Sequence, residues 1–286
     1  MTENQVTING NRLSFEPGDT ILDVARQNSI DIPTLCHLKG AEPTGACRVC
    51  VVEVENARTL MPACSTPAQA GMVIHSESPS VVASRKKTIE LLLASGNHNC
   101  AVRKADDSGS FADFQLHVQE YDHSDRLCPV WGDCQLQDLA YRYQVSGDAF
   151  PATETKYPME IVNPFIVRDF SRCILCGRCV QACNEVQVNR AINFGYRGKD
   201  GKIVAAGDRP LKDSDCVFCG ECVQVCPVGA LVEKDAKYRW RPWDVEKVRT
   251  TCPYCGVGCQ IDLHVKDNTV LKVTGAEDAL PNHGSL

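Results

Sequence analysis

The chain has 286 residues, 18 of them cysteines, and a formal net charge of -6, which argues against a protein that binds nucleic acid by neutralising phosphates. Residues 1–6 lack a charged region followed by an apolar one, so we expect no secretory signal sequence, and no stretch has the roughly 18 apolar residues of a membrane span. We therefore expect a cytoplasmic protein that binds neither nucleic acid nor membrane, in a reducing compartment where cysteines bind metal more often than they pair as disulfides.

The first module combines the pattern of a small β-sheet with four cysteines. Apolar and polar residues alternate on both sides of Asn9-Gly10, which predicts a β-hairpin, and Asp19 or Thr20 can cap the short helix that follows. The four cysteines are Cys36, Cys47, Cys50 and Cys64. Four thiolates in one loop-rich region, with two residues between the central pair, suit a [2Fe–2S] cluster, and a four-cysteine zinc site is the alternative.

A predicted helix leads from the first module to three further cysteines. The helix begins at Ser78-Pro79, has apolar residues at helical spacing, and ends at Ser95-Gly96. The cysteines beyond it are Cys100, Cys128 and Cys134. Three thiolates are one short of the four ligands of a [4Fe–4S] cluster, so a ligand of another type is needed.

A repeated cysteine run follows and is the most specific motif of the sequence. The first run consists of Cys173, Cys176, Cys179 and Cys183, and the second of Cys216, Cys219, Cys222 and Cys226. In bacterial ferredoxins three closely spaced thiolates bind one [4Fe–4S] cluster, and the fourth cysteine of each run binds the other cluster. One cluster would thus use Cys226, and the other Cys183, as its fourth ligand. Zinc is a poor competitor because it needs only four ligands and has no use for the duplicated run.

The last cysteine group lies near the end of the sequence. Its members are Cys252, Cys255 and Cys259, and a predicted hairpin with strands at 260–265 and 270–273 follows them. Three thiolates are again one ligand short of a [4Fe–4S] site. Zinc binding and a site without metal are the alternatives for this group as it stands.

These motifs resemble a known family of redox proteins. Residues 1–80 resemble the β-grasp [2Fe–2S] domain of the large iron–sulfur subunit of complex I and of its iron-only hydrogenase and formate dehydrogenase relatives. Residues 128–138 resemble the end of the histidine-ligated cluster motif of the same proteins, and residues 251–259 resemble the opening of molybdopterin oxidoreductases. The order of modules is most similar to the N-terminal iron–sulfur region of the catalytic (alpha) subunit of cytoplasmic, NAD(P)- or ferredoxin-linked formate dehydrogenases.

The resemblance implies ligands beyond the cysteines. In the relatives one histidine and three cysteines hold the [4Fe–4S] cluster of the second module, which favours His98 as the ligand over His123. The family has short gaps between these ligands, so residues 101–127 are expected to be an insertion within the motif. In the family a fourth cysteine follows a segment like 282–286, and the sequence ends where that cysteine is expected. A fourth [4Fe–4S] cluster is therefore expected only if another ligand completes the last group.

The implied fold class is α+β, with four segments. They are a β-grasp [2Fe–2S] ferredoxin domain at 1–80, a histidine-ligated [4Fe–4S] domain at 81–158, a bacterial 2[4Fe–4S] ferredoxin domain at 159–240 and the start of a molybdopterin-oxidoreductase domain at 247–286. The implied cofactors are one [2Fe–2S] cluster and three [4Fe–4S] clusters, one of them with a histidine ligand.

The implied function is electron relay in a formate dehydrogenase-type complex. The expected partners are a flavin- and NAD(P)-binding, diaphorase-type iron–sulfur subunit, a Mo/W-bis-pterin catalytic domain or subunit, and ferredoxin as a further acceptor. The chain contains no Mo/W-binding domain, so we expect it to be part of an oxidoreductase that does not oxidise formate alone. The alternative is a stand-alone, non-catalytic adaptor subunit of an electron-bifurcating, hydrogenase or complex I-like assembly.

Overall fold

The computed structural model describes residues 4–98, 128–145, 149–151 and 157–286. The insertion expected at 101–127, together with Cys100 and His123, lies outside the described residues. Within those ranges no helix is long and apolar enough to cross a membrane. The chain divides into two compact units: the described residues of the first are 4–95, 139–145 and 149–151, and those of the second are 96–98, 128–138 and 157–286.

The first unit is built on a five-stranded sheet with the strand order β2-β1-β5-β3-β4. Its strands are β1 (Gln5–Ile8), β2 (Asn11–Ser14), β3 (Val51–Val54), β4 (Met61–Pro62) and β5 (Val73–His75). β1 and β5 are parallel, and the other neighbouring pairs are antiparallel. The predicted hairpin turn is present, since Asn9 and Gly10 have φ angles of 51° and 85°, as a tight two-residue turn requires.

A short helix, α1 (Ile21–Gln27), packs its apolar residues into the core of this unit. Its N-cap is Thr20, whose Oγ1 accepts a hydrogen bond from the Asp23 amide at 3.2 Å, while the Asp23 carboxylate accepts one from the Thr20 amide at 2.9 Å. This reciprocal capping fixes where the helix begins. The core around α1 includes Val6, Ile8, Val52, Val54, Ile74, Cys50 and Cys64. Two of the predicted cluster ligands are therefore anchored in the core itself.

The second helix, α2 (Pro79–Ala94), begins with Ser78 as its N-cap and a proline in its first turn, as predicted. Its buried face has a spacing of four residues and includes Val81, Arg85, Ile89 and Leu93. α2 packs on β3, the strand that directly follows Cys50. Helix α3 (Gln135–Arg142) contributes its residues 139–142 to the same unit.

The second unit carries the repeated cysteine runs on short helices. Helix α4 (Arg178–Gln181) continues into the π-helical turn Ala182–Val186, and helix α5 (Glu221–Gln224) lies within the second run. Two antiparallel pairs accompany them, β6 (Ile166–Arg168) with β9 (Leu231–Glu233) and β7 (Ile192–Gly195) with β8 (Lys202–Ala205). β6 precedes the first cysteine run and β9 follows the second. Their pairing therefore brings together the two ends of the segment that carries both runs.

An antiparallel three-stranded sheet completes the second unit. Its strands are β10 (Glu246–Thr251), β11 (Gln260–Lys266) and β12 (Thr269–Gly275), in that order. The predicted hairpin of β11 and β12 is present, with left-handed backbone at Asp267 and Asn268 in its turn. The mixture of sheets and helices confirms the predicted α+β class.

Candidate iron–sulfur centres

The four cysteines of the first unit converge on one site. The thiol groups of Cys36 and Cys47 are hydrogen-bonded to each other, and so are those of Cys50 and Cys64. The two pairs are close enough for their charges to interact, Cys36 with Cys64 and Cys47 with Cys50. We call these four residues the first cysteine site. Two pairs of thiols fit a cluster of two irons with four protein ligands.

Hydrogen bonding within each pair makes one thiol more acidic than the other. The bond from Cys47 lowers the pKa of Cys36 to about 5, and the bond from Cys50 lowers the pKa of Cys64 to about 7. The same bonds, together with burial, raise the pKa of Cys47 and of Cys50. One sulfur of each pair is therefore readily available as the thiolate that metal binding requires.

Backbone N–H groups of the surrounding loop point at these sulfurs. The amide of Cys47 donates to Cys36 Sγ at 3.4 Å, and the amide of Val49 donates to the Cys47 thiol. The loop reaches this geometry with left-handed backbone at Gly45 and Arg48, which both have a φ of 59°. Amide hydrogen bonds to sulfur stabilise an iron–sulfur cluster and tune its reduction potential. The residues of the first cysteine site therefore fit such a cluster.

The eight cysteines of the repeat line one cavity in the second unit. Burial raises the pKa of Cys173 to about 11 and the pKa of Cys176 to about 12, and the charge of Cys226 contributes to both. Burial also raises the pKa of Cys216, with a contribution from the charge of Cys183. The fourth cysteine of each run thus lies beside the first cysteines of the other run.

The two runs repeat one backbone geometry. Leu175 and Phe218 have φ angles of 53° and 57°, and Gly177 and Gly220 have φ angles of 83° and 82°. The amides of Leu175 and Phe218 donate hydrogen bonds to the first thiol of their own runs. Left-handed residues between the cysteines turn successive amides towards sulfur. This duplicated arrangement fits two [4Fe–4S] clusters that are bound in the same way.

The third predicted group comprises His98, Cys128 and Cys134 among the described residues, and all three lie in the second unit. The Nε2 atom of His98 is buried and has no hydrogen-bond partner among the described residues. Burial lowers the pKa of His98 to about 4, with a smaller contribution from the positive charge of Arg172. The ring is therefore neutral. Arg172 Nη1 donates to the carbonyl oxygen of Asn97 at 2.9 Å and so fixes the backbone just before the histidine. A neutral imidazole with a free nitrogen is the form in which histidine binds metal.

The backbone of residues 227–229 lies close to both described cysteines of this group. Cys134 Sγ donates to the carbonyl oxygen of Pro227 at 3.6 Å. A Cβ atom at Gly229 would lie 3.3 Å from Cys128 Sγ and 3.5 Å from Arg172 Cδ. The absence of a side chain at residue 229 therefore leaves room for the Cys128 thiol beside the arginine that holds the segment of His98.

The last cysteine group occupies the loop between β10 and β11. The amide of Cys252 donates to the carbonyl oxygen of Cys259 at 2.8 Å, which closes the loop at its base. Cys255 is exposed, and Tyr254 beside it is 93% exposed. The structure thus gathers three thiols in one loop, with one of them open to solvent.

Within the part of the chain that the structure describes, no group of three or more His, Cys, Asp or Glu side chains is arranged to hold one metal ion.

Two buried arginines beside these groups were not predicted from the sequence. Arg85 lies four residues from both Val81 and Ile89 on the buried face of α2. A charged residue at an apolar position of a helix was the signal that could have identified it. Arg172 directly precedes Cys173, and no pattern around it marks it as buried.

Grouped thiols with amide donors define a multi-cluster iron–sulfur protein of the electron-transfer class. Family models match three parts of the chain. They are a 2Fe-2S iron-sulfur cluster binding domain over residues 2–79, a 4Fe-4S dicluster domain over residues 172–230 and a molybdopterin oxidoreductase Fe4S4 domain over residues 245–286. The first, third and fourth of the modules predicted from cysteine spacing thus correspond to known iron–sulfur domains.

Similar proteins come from several redox systems. The chain is 34% identical over 281 residues to the NADPH-Fe(3+) oxidoreductase subunit alpha of Geobacter sulfurreducens, with 98% of this chain and 30% of that protein covered. It is 35% identical over 240 residues to the NADP-reducing hydrogenase subunit HndD of Solidesulfovibrio fructosivorans, with 82% and 36% covered. A crystal structure of NAD+-reducing [NiFe]-hydrogenase in the H2-reduced state matches with a TM-score of 0.68 at 30% identity, covering 83% of this chain and 90% of that chain. The chain spans about a third of the length of the curated relatives it matches.

The chain belongs to the family of iron–sulfur electron-relay subunits of NAD(P)-linked oxidoreductases, which includes NADH-quinone oxidoreductase, hydrogenase and formate dehydrogenase-like proteins. The resemblance inferred from the cysteine motifs is confirmed by these matches. The prediction of one [2Fe–2S] domain followed by [4Fe–4S] domains is confirmed as well.

Proposed function

We propose that this chain is the electron-relay part of a cytoplasmic formate dehydrogenase-type complex, between a Mo/W-bis-pterin site and a flavin- and NAD(P)-binding partner or ferredoxin. The order of the matched domains is the observation that supports this most. A domain of the molybdopterin oxidoreductase type at 245–286 follows the 2Fe-2S and dicluster domains, which favours a pterin site next in the series. Clusters in these sites supply the acceptance and release of single electrons.

We assign the ligands as follows. The [2Fe–2S] cluster takes Cys36, Cys47, Cys50 and Cys64. One [4Fe–4S] cluster takes Cys173, Cys176, Cys179 and Cys226, and a second takes Cys216, Cys219, Cys222 and Cys183. A third [4Fe–4S] cluster takes His98, Cys100, Cys128 and Cys134. A fourth forms at Cys252, Cys255 and Cys259 when another ligand completes the set.

The assignment of His98 as a cluster ligand is tested by replacing its neutral imidazole with a negatively charged thiolate. A neutral imidazole in place of a thiolate raises the reduction potential of a cluster, as histidine ligands do in Rieske centres. We therefore expect His98→Cys to keep the cluster and to shift its potential to more negative values, measured by an EPR-monitored redox titration. The matched variant His123→Cys should leave that potential unchanged. A shift in the His123 variant alone would assign the ligand to the other histidine.

Cluster content is measured first. The chain, purified anaerobically, should contain about fourteen irons with matching sulfide if one [2Fe–2S] and three [4Fe–4S] clusters are present, and about eighteen if the last group also holds a cluster. A reduced sample should show the EPR signals of both cluster types. Little iron with abundant zinc would contradict the electron-relay proposal.

The electron donor is tested in the complex isolated from its native cells. Formate should reduce the clusters, and NAD(P)+ or oxidised ferredoxin should reoxidise them, as followed by EPR. The adaptor alternative is favoured by the structural match to the hydrogenase chain, most of which is covered. It predicts reduction by hydrogen or NAD(P)H and no response to formate. The two donors therefore separate the two functions.

A further inference from the structure

Arg85 is a buried charged residue in the first unit. It lies on α2 with 0% of its surface exposed, although arginine is among the residues least often buried. Removing a guanidinium from water is costly unless every donor finds a partner and a negative charge lies nearby. Its position therefore needs a reason beyond the packing of the helix, where an apolar side chain would serve.

The guanidinium of Arg85 makes four hydrogen bonds. Nε donates to the carbonyl oxygen of Val49 at 2.9 Å, and Nη2 donates to the carbonyl oxygen of Val51 at 2.9 Å. Nη1 donates to Glu77 Oε1 at 2.6 Å and to the Tyr143 hydroxyl at 2.8 Å. The planar fork of arginine suits such a fixed set of acceptors, which a lysine ammonium would match less well.

The two carbonyl groups bound by Arg85 belong to the first cysteine site. Val49 and Val51 are the neighbours of Cys50, and the amide of Val49 donates to the Cys47 thiol. Because a trans peptide is planar, holding the Val49 carbonyl also fixes the direction of the Cys50 amide. Arg85 thus holds the backbone on both sides of Cys50. One of the two carbonyls it binds belongs to Val49, whose amide contacts the sulfur of Cys47.

The charges around Arg85 are unevenly exposed. The side chain of Arg85 is 0% exposed, whereas that of its ion-pair partner Glu77 is 41% exposed. Glu77 Oε1 also accepts from the Tyr143 hydroxyl at 3.1 Å and from Arg142 Nη2 at 3.2 Å. Solvent screens the negative partner more than the positive one. The interior beside the first cysteine site therefore carries a net positive field.

We infer that Arg85 is a positioning residue for the [2Fe–2S] site and that its buried charge raises the reduction potential of the cluster. Reduction adds one electron, and therefore one negative charge, to the cluster, which a nearby cation stabilises. The inference rests on the proposed assignment of Cys36, Cys47, Cys50 and Cys64 as ligands. Arg85 lies outside the matched 2Fe-2S domain, which ends at residue 79. It adds a positive charge and hydrogen bonds that hold the backbone beside Cys50.

The test is an EPR-monitored redox titration of the [2Fe–2S] signal in the full chain. Arg85→Gln should lower the equilibrium constant of reduction roughly tenfold, which is about 59 mV for one electron. Glu77→Gln removes the compensating negative charge and should shift the potential in the opposite direction. Arg85→Lys, which keeps the charge, should restore most of the potential. Lys86→Gln removes an exposed charge from the next residue of α2 and should leave the potential unchanged.

The outcomes separate charge from folding. Opposite shifts in the Arg85 and Glu77 variants support the inference, because loosening of the structure would not reverse sign between them. Unchanged potentials in both, or equal shifts in the same direction, would overturn it. If Arg85→Gln loses the cluster, the reduction potentials of the Arg85→Lys and Glu77→Gln variants decide whether the charge of Arg85 acts on the cluster. A wild-type chain without any [2Fe–2S] signal would instead refute the proposed ligand assignment, and the inference with it.

Discussion

Buried charged side chains recur beside the cysteine groups. Arg85 clamps the backbone around Cys50, and Arg172 forms an ion pair with Asp169, at 3.1 Å between Nε and Oδ2, next to the segment of His98. Buried ion pairs contribute little to net stability because desolvation offsets their attraction. They do fix local geometry and the local field, and both affect the potential of a nearby cluster.

His264 supplies a prediction at the scale of one residue. Its ring is buried, and burial, with the charges of Lys272 and Lys247, lowers its pKa to about 4. Since the folded-state pKa lies below the unfolded value of about 6.5, the unfolded state binds more protons between these pH values. Neutral His264 therefore leaves the free energy of unfolding at its full value above pH 6.5. That free energy decreases as the pH falls from 6.5 towards 4. The loss is about 2 kcal/mol at pH 5 relative to pH 8.

The measurement compares wild type with His264→Gln in anaerobic urea unfolding followed by tryptophan fluorescence. Trp240 is a suitable reporter, because its ring centre lies 5.2 Å from that of His264. On going from pH 8 to pH 5, wild type should lose about 2 kcal/mol more than the variant. Other acidic groups titrate in both proteins and cancel in the difference. Parallel pH profiles for the two proteins would show that His264 is not held neutral.

At the scale of elements, short helices and turns carry the cysteines of the repeat. Helices α4 and α5 have only four residues each, and a left-handed glycine precedes each of them. Isolated helices of this length are unstable, so their shape depends on surrounding packing and on the clusters we propose. Helix α1 differs, because it has a complete N-terminal cap of its own.

The cap of α1 leads to a prediction about local stability. Thr20→Ala removes the hydroxyl that accepts from the Asp23 amide and should cost about 1 kcal/mol. We expect the amides of α1 to exchange with solvent about five times faster, as measured by hydrogen–deuterium exchange of the cluster-loaded chain. Thr20→Ser keeps the hydroxyl and should exchange like wild type. Equal exchange in the alanine and serine variants would show that the cap does not limit opening of the helix.

Local elements were predictable where short-range signals specify them. The Asn9-Gly10 turn, the Ser78-Pro79 helix start and the β11–β12 hairpin are all present in the structure. Three-residue strands such as β6 and β9 were not predicted, because their pairing joins residues more than sixty positions apart and their sequences carry no clear alternation. The strand order β2-β1-β5-β3-β4 likewise depends on long-range packing that periodicity does not encode.

The candidate sites were predictable to a different degree. Cysteine spacing predicted which thiols share a group, since cluster ligands follow fixed sequence intervals. The buried environment of each group depends on the fold, so neither the hydrogen bonds of Arg85 nor the room that Gly229 leaves for Cys128 was foreseen. Ligand identity at His98 stays a prediction, because spacing alone left His123 as an alternative.

At the scale of the whole molecule, the crossed ligation that we propose for the fourth cysteines would join the two runs into one folding unit. In the structure Cys226 lies beside Cys173 and Cys176, and Cys183 lies beside Cys216. If each run held its own cluster, the two halves would need no contact. Crossed ligation instead requires both runs and the β6–β9 pairing to form together.

Pairs of alanine substitutions distinguish crossed from uncrossed ligation, since alanine offers no ligand. With crossed ligation, Cys179→Ala with Cys226→Ala damages one cluster and should lose about four irons per chain, whereas Cys179→Ala with Cys183→Ala damages both clusters and should lose about eight. Iron and sulfide analysis with EPR measures both, and the [2Fe–2S] signal should persist in each variant as the internal control for folding. The reverse pattern, about eight irons lost from the first pair and about four from the second, would show that each run binds its own cluster.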